Sequence, residues 1–198
     1  MAVDVRKLID AMKRKGYVVF EDERKDYNLN IVGVRSENKT PGKFDDTLYV
    51  FWKFKGKWTL HSYSITTDPG QYYLKHPMNV NGTAILKPGQ YRGMWKIGLH
   101  KGKYKALVQA RPVTVIRDRN KDDILDFDSP NEQTGMFGIN LHHASSYGVS
   151  VNVGRWSAGC QVFADIEEFN EMMDLAERAK ANWGNSFSYT LLEQKDFA

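Results

Sequence analysis

The stretch 141–163, LHHASSYGVSVNVGRWSAGCQVF, holds two adjacent histidines, His142 and His143, and the chain's single cysteine, Cys160. Cysteine attacks carbonyl carbon as the thiolate, and an imidazole within reach can take the thiol proton and hold the resulting ion pair. A lone free cysteine is more often a small buried apolar side chain, and sequence order alone does not show that thiol and imidazole meet in space. Cys160 nevertheless ends Ser157-Ala158-Gly159-Cys160, a small-residue turn that opens onto an apolar stretch. Backbone amides around Gly159 and Cys160 are candidate donors to an oxyanion. The small side chains at 158 and 159 would let a substrate backbone approach closely. Ser157, Arg155 and Trp156 complete the candidate substrate-binding set. Arg155 carries a guanidinium suited to bidentate recognition of a carboxylate, and equally reads as a solvated loop charge.

These residues resemble the signature of the L,D-transpeptidases of the YkuD type: a His-Gly or His-Ser pair, a gap of about a dozen or more residues, then Ser/Thr-His-Gly-Cys. His142 falls on the first histidine, the general base. His143 occupies the next position, and Ser157, Gly159 and Cys160 match the second half. Ala158 departs from the pattern, standing where the family carries a second histidine, and Val162 replaces the usual Arg or Asn after the cysteine. Lys87-Pro88-Gly89-Gln90-Tyr91 is similar to the Thr-Pro-x-Gly-x-Phe/Tyr segment that precedes the catalytic strands, so the resemblance covers about residues 45–165. It implies a mainly β fold with flanking α, a sandwich or barrel with an N-terminal and a C-terminal helix. It also implies a Cys160 thioester formed on a peptidoglycan stem peptide with loss of the terminal D-alanine. An amine then resolves the thioester to a cross-link, or water hydrolyses it. That chemistry needs no cofactor and no metal. A non-catalytic wall-binding module would keep the fold with an unreactive Cys160. A cysteine amidase or peptidase of another kind would keep the thiol and ignore muropeptides.

The elements that must position this stretch can be read along the chain. Val5, Leu8, Ile9 and Met12 recur at helical spacing before Gly16, which predicts an amphipathic helix over 4–15. Short strands are expected at 17–20 and 28–34, then a loop over 36–46 around Pro41-Gly42. The aromatic runs from Thr47 and from Lys57, divided by Lys55-Gly56-Lys57, predict a hairpin whose aromatics serve packing more than sugar binding. Residues 71–82 read as an ordered loop, and Lys87-Pro88-Gly89 as a bend into a strand. Strand-turn patterns follow at 92–100, 103–109 and 111–117. His100, beside Lys101-Gly102, reads first as a turn residue, with a place lining the cleft as the alternative.

In the 118–126 segment, Asp118, Asn120 and Asp122 imitate the start of a calcium loop. Asp123 stands where such a loop wants Gly and Ser129 where it wants Glu, so a plain hairpin turn is the leading reading and a weak calcium site the alternative. Residues 134–141 should form the strand that delivers His142, with 144–152 as a rim over the cleft. Asp165-Ile166-Glu167-Glu168 resembles a capping box opening a helix to about 181, and 186–192 reads as a closing strand.

The 198 residues suit one domain, divided here as 1–44 (an N-terminal addition), 45–165 (the catalytic core) and 166–198 (a C-terminal helix and closing strand). A net charge of +4, with acids and bases interspersed, gives no nucleic-acid footprint and is compatible with an anionic polymer. One cysteine excludes an internal disulfide framework. No apolar run approaches a membrane span. The charged N-terminus is not a secretory signal. Taken with the family resemblance, the expectation is a monomer made in the cytoplasm that acts at the bacterial cell wall after release, as a phage endolysin would, or after non-classical export.

Overall fold

Asp4 accepts a hydrogen bond from the Lys7 N–H and caps α1 (Val5–Arg14), whose Leu8, Ile9, Ala11 and Met12 form the buried stripe that the helical spacing marks. The computed structural model describes residues 4–197. After α1 come β1 (Asn30–Arg35) and a hairpin of β2 (Asp46–Phe54) and β3 (Lys57–Thr66). The short helix α2 (Gln71–Lys75), β4 (Thr83–Leu86), β5 (Gly89–His100) and β6 (Tyr104–Gln109) follow. β7 (Val113–Asp118), β8 (Glu132–Gly135), β9 (Leu141–His143) and β10 (Gln161–Phe163) lead to α3 (Ile166–Trp183) and β11 (Phe187–Glu193). The fold is mainly β with flanking helices, as expected.

Eight strands close into a barrel in the order β1-β11-β5-β6-β9-β10-β3-β2, and β4-β7-β8 form a separate three-stranded sheet. β1, from outside the stretch that carries the family resemblance, pairs with β11 on one side and β2 on the other and completes the barrel. Alternation along these strands sorts two apolar clusters. Ile31, Val50 and Leu191 join Trp95, Phe163 and the Phe169 and Met172 of α3, whereas Val32, Phe51 and Leu192 pack beneath α1.

Four local expectations are corrected. Residues 17–20 run extended but form no strand, because side-chain amides take the place of a ladder. Gln90 accepts from the Val18 N–H and donates to its carbonyl, and Asn30 does the same for Phe20. The 71–82 loop contains α2. The 134–141 run is split: its first residues end β8 in the small sheet, and only Leu141 begins β9 of the barrel. Asp165 does cap α3 through the Glu167 N–H, but Glu168 accepts from the Ser64 N–H of β3 and so ties the helix to the barrel.

Candidate active site

β9 and β10 run parallel, with Leu141 opposite Gln161, His142 opposite Val162 and His143 opposite Phe163. One residue earlier, Asn140 lies beside Cys160, and its carbonyl accepts the Gln161 N–H at 2.9 Å. Side chains alternate across a strand, so Cys160, Asn140 and His142 share one face of this pair and His143 belongs to the other. The His143 ring packs accordingly on Tyr104 at 4.3 Å and on Phe169 at 5.0 Å. Of the two adjacent histidines, the strand register gives the cysteine's face to His142.

His100 joins them. It ends β5, is buried, and stacks on His142 with ring centroids 4.1 Å apart. The reading of His100 as a turn residue is therefore corrected: the turn begins one residue later, at Lys101, whose φ is +49°.

Hydrogen bonds fix the tautomers. His142 Nδ1 lies 2.8 Å from the His143 carbonyl, and a carbonyl only accepts, so Nδ1 carries the proton and Nε2 keeps its lone pair. Asn140 Oδ1 accepts the Gln109 N–H, which turns the Asn140 amide NH₂ toward His100 Nδ1 at 3.0 Å and makes that nitrogen the acceptor. Burial, followed by the neighbouring His100 charge, lowers His142 to about 3, and burial with Lys101 lowers His100 to about 4. Two stacked imidazoles out of water stay neutral.

The half-buried Cys160 thiol donates to the Gly138 carbonyl at 3.3 Å. Burial pushes its pKa up, while the Asn140 backbone N–H and the Lys101 ammonium pull it down. The Tyr104 hydroxyl is raised to about 12 by burial and then by Cys160. At rest Cys160 is thus a neutral thiol and His142 a neutral imidazole on the same strand face, not a preformed thiolate–imidazolium. Alkylation of Cys160 by iodoacetamide should then rise about tenfold per pH unit from 7 to 9. A rate plateau between pH 4 and 7, measured by intact mass, would reveal a standing thiolate and overturn this assignment.

The turn before the nucleophile is built from its own hydrogen bonds. Ser157 is fully buried: its Oγ donates to the Cys160 carbonyl at 2.9 Å and accepts the Gly159 N–H at 3.1 Å. It shapes the turn and makes no surface for substrate. The Gly159 amide is engaged there, whereas the Cys160 N–H has no hydrogen-bond partner among the described residues and is the remaining backbone candidate for an oxyanion. Gly159 is required by the chain itself, since its φ is +119° and a Cβ would lie 2.3 Å from the Ala84 carbonyl oxygen. Gly159→Ala should destabilise the fold by about 1–3 kcal/mol. An unchanged urea midpoint would show that the turn yields freely.

Neither Arg155 nor Trp156 hydrogen-bonds the thiol, whose partner is the Gly138 carbonyl. The Arg155 guanidinium lies 3.8 Å over the Tyr72 ring, and Trp156 is half exposed. Ala158 lines a separate hollow with Tyr73 and Phe137.

The 118–126 loop closes on itself in the connection from β7 to β8. Asp118 Oδ2 accepts the Asp126 N–H, and the Asn120 amide donates to Asp122 and Asp126, so Asn120 presents nitrogen to those carboxylates. Among the described residues no group of three or more His, Cys, Asp or Glu side chains is placed to hold a metal ion. No helix among them is long and apolar enough to cross a membrane.

No protein-family model, no curated protein and no solved structure matches the chain.

Proposed function

We propose that the chain is a cysteine acyltransferase of the L,D-transpeptidase kind, with a catalytic barrel of that type, acting on peptidoglycan stem peptides at the bacterial cell wall. The observation that carries this reading is the placement of Cys160 and His142 on one face of adjacent parallel strands, with His142 Nδ1 fixed by a carbonyl and Nε2 left as a base. As the sulfur bonds to the stem-peptide carbonyl carbon, its proton passes to His142 Nε2. Burial raises the thiol and lowers the imidazole, so the proton moves only as the carbon–sulfur bond forms. The Cys160 N–H faces the developing oxyanion. Collapse breaks the amide bond, His142 returns the proton to the departing D-alanine nitrogen, and a thioester remains. Water or an amine then attacks it, His142 takes that nucleophile's proton, and the thiol is restored.

His100 and Lys101 modulate this pair. His100 holds the His142 ring by stacking and supplies a second imidazole from β5, while position 158 holds alanine. Incubation with defined muropeptides, followed by intact-mass analysis of protein and products, tests the proposal. An acyl adduct on Cys160 with loss of D-alanine is expected, and the product masses separate hydrolysis from transfer. Unchanged muropeptides without an adduct would favour a wall-binding module, for which the neutral resting thiol is the supporting observation.

A further inference from the structure

Away from the thiol, the turn around Pro41-Gly42, helix α2 and the 152–155 loop enclose a recess of about 560 Å³. Three cationic side chains line it, Lys43, Lys75 and Arg155, together with Tyr72, His76 and Asn152, and no acidic side chain does. Lys75 is tied from behind by Asp123 at 2.9 Å, which also accepts from Gln71. Lys43 and Arg155 have no ion pair among the described residues.

The walls are held at fixed distance. Val153 N–H donates to the Gly42 carbonyl at 3.0 Å and Gly70 N–H to the Ser157 carbonyl at 2.9 Å, and a Cβ on Gly70 would lie 2.1 Å from the Gly154 carbonyl oxygen. Within that frame the Arg155 guanidinium rests on Tyr72, whose ring also stacks with His76 at 4.7 Å. Stacking on an aromatic face orients the guanidinium and leaves its edge N–H donors unengaged. An oriented fork with two further ammonium groups around one hollow matches the planar or tetrahedral oxygens of an oxyanion.

We infer that this recess is an oxyanion subsite, binding a carboxylate or phosphate of an extended ligand, with Arg155 as the bidentate contact and Lys43 and Lys75 supplying charge. The recess shares no lining residue with the thiol's hydrogen-bond partners or stacked histidines, so it is a second site and not part of the thiol's own surroundings. Its assignment to the wall substrate rests on the stem-peptide reading above. There the oxyanion is either a peptide carboxylate or the phosphodiester of an anionic wall polymer.

Binding can be read without turnover, so it stands or falls separately from the thiol chemistry. The experiment follows the Arg155 Nε–H resonance at low ionic strength during titration with N-acetyl-D-alanine, its neutral amide, and inorganic phosphate. N-acetyl-D-alanine or phosphate should shift it and the amide should not, and added salt should weaken the effect because the site is open to solvent. Arg155→Gln, followed through Tyr72, should weaken binding roughly tenfold, and Arg155→Lys should retain part of it. Tighter binding of N-acetyl-D-alanine assigns the subsite to a peptide carboxylate, and tighter binding of phosphate to a phosphodiester polymer. No shift with either oxyanion, or equal affinity in a folded Arg155→Gln protein, would overturn the inference.

Discussion

Cys160→Ala is expected to remove stem-peptide turnover, by about 10⁴-fold or more, and His142→Gln to slow acylation by about 10²–10⁴-fold. His143→Gln should cost less than about threefold, because that ring packs on Tyr104 and Phe169 and strand alternation turns it to the opposite face from His142 and Cys160. The two histidines are adjacent in sequence, similarly buried and both lowered by burial, so the contrast isolates geometry from environment. Single-turnover formation of the acyl-enzyme, followed by mass, separates loss of the base from loss of substrate binding. Melting curves on each variant report whether the sheet survives. A His143→Gln protein slower than His142→Gln would reverse the assignment of faces and with it the proposed base.

The sequence marked Cys160 and two adjacent histidines as candidates, and only the family resemblance, with no local pattern behind it, chose His142 over His143 as the base. That choice depends on the register of β9 against β10, which lie far apart in the chain and pair in parallel. The cleft reading of His100 was outweighed for a related reason. Its neighbours Lys101 and Gly102 carry a strong turn signal, and only the pairing of β5 with β6 and β6 with β9 buries the residue at the strand's end. Local patterns with their own chemistry were legible: the α1 stripe, the β2–β3 hairpin, the Asp165 cap and the bend into β5. The small residues at 157–159 were seen but assigned to the wrong neighbour. Ser157 and Gly159 satisfy hydrogen bonds and a close approach within the chain, a tertiary requirement that looks in sequence like room for a substrate. The 17–20 segment was β-prone and runs extended, yet its partners are the side chains of Gln90 and Asn30, which no pairing rule anticipates.

Behind the cysteine lies a buried polar network that the apolar pattern conceals, and its removal should produce the largest stability loss. Arg35, at the end of β1, is 1% exposed and pairs with Asp68 at 2.9 Å. The same Nε–H is shared with the Thr67 hydroxyl, and the two terminal nitrogens donate to the Leu86 and Thr67 carbonyls. Asp46 accepts from Thr67 and Ser36. Thr67 also accepts from Gln161, which receives the Tyr189 hydroxyl and directly follows Cys160. Burial raises both carboxylates, with Arg35 opposing the rise. Arg35→Met keeps a long side chain but leaves two carboxyl groups without a cation and takes the guanidinium donors from the Leu86 and Thr67 carbonyls, so it should destabilise by about 3–5 kcal/mol near neutral pH.

The sign of the pH dependence follows from the direction of those shifts. A carboxyl whose folded pKa lies above its unfolded value is best tolerated in the folded state when protonated, so its contribution is lost as pH rises through the folded pKa. Removing Arg35 raises the folded values further. The gap between variant and wild type should therefore be smallest below pH 4 and widen toward pH 8 in urea unfolding. Asp68→Asn in the Arg35→Met background should recover part of it by deleting one buried charge. A gap independent of pH would mean that Arg35 acts through packing alone, for instance against the Phe127 ring 4.9 Å from its guanidinium carbon. If the charge network does hold β10 through Thr67 and Gln161, the same variant loosens the strand on which Cys160 is mounted. Its alkylation by iodoacetamide at pH 8 should then be faster than in the wild type, because release from burial lets the thiol fall back toward its ordinary pKa.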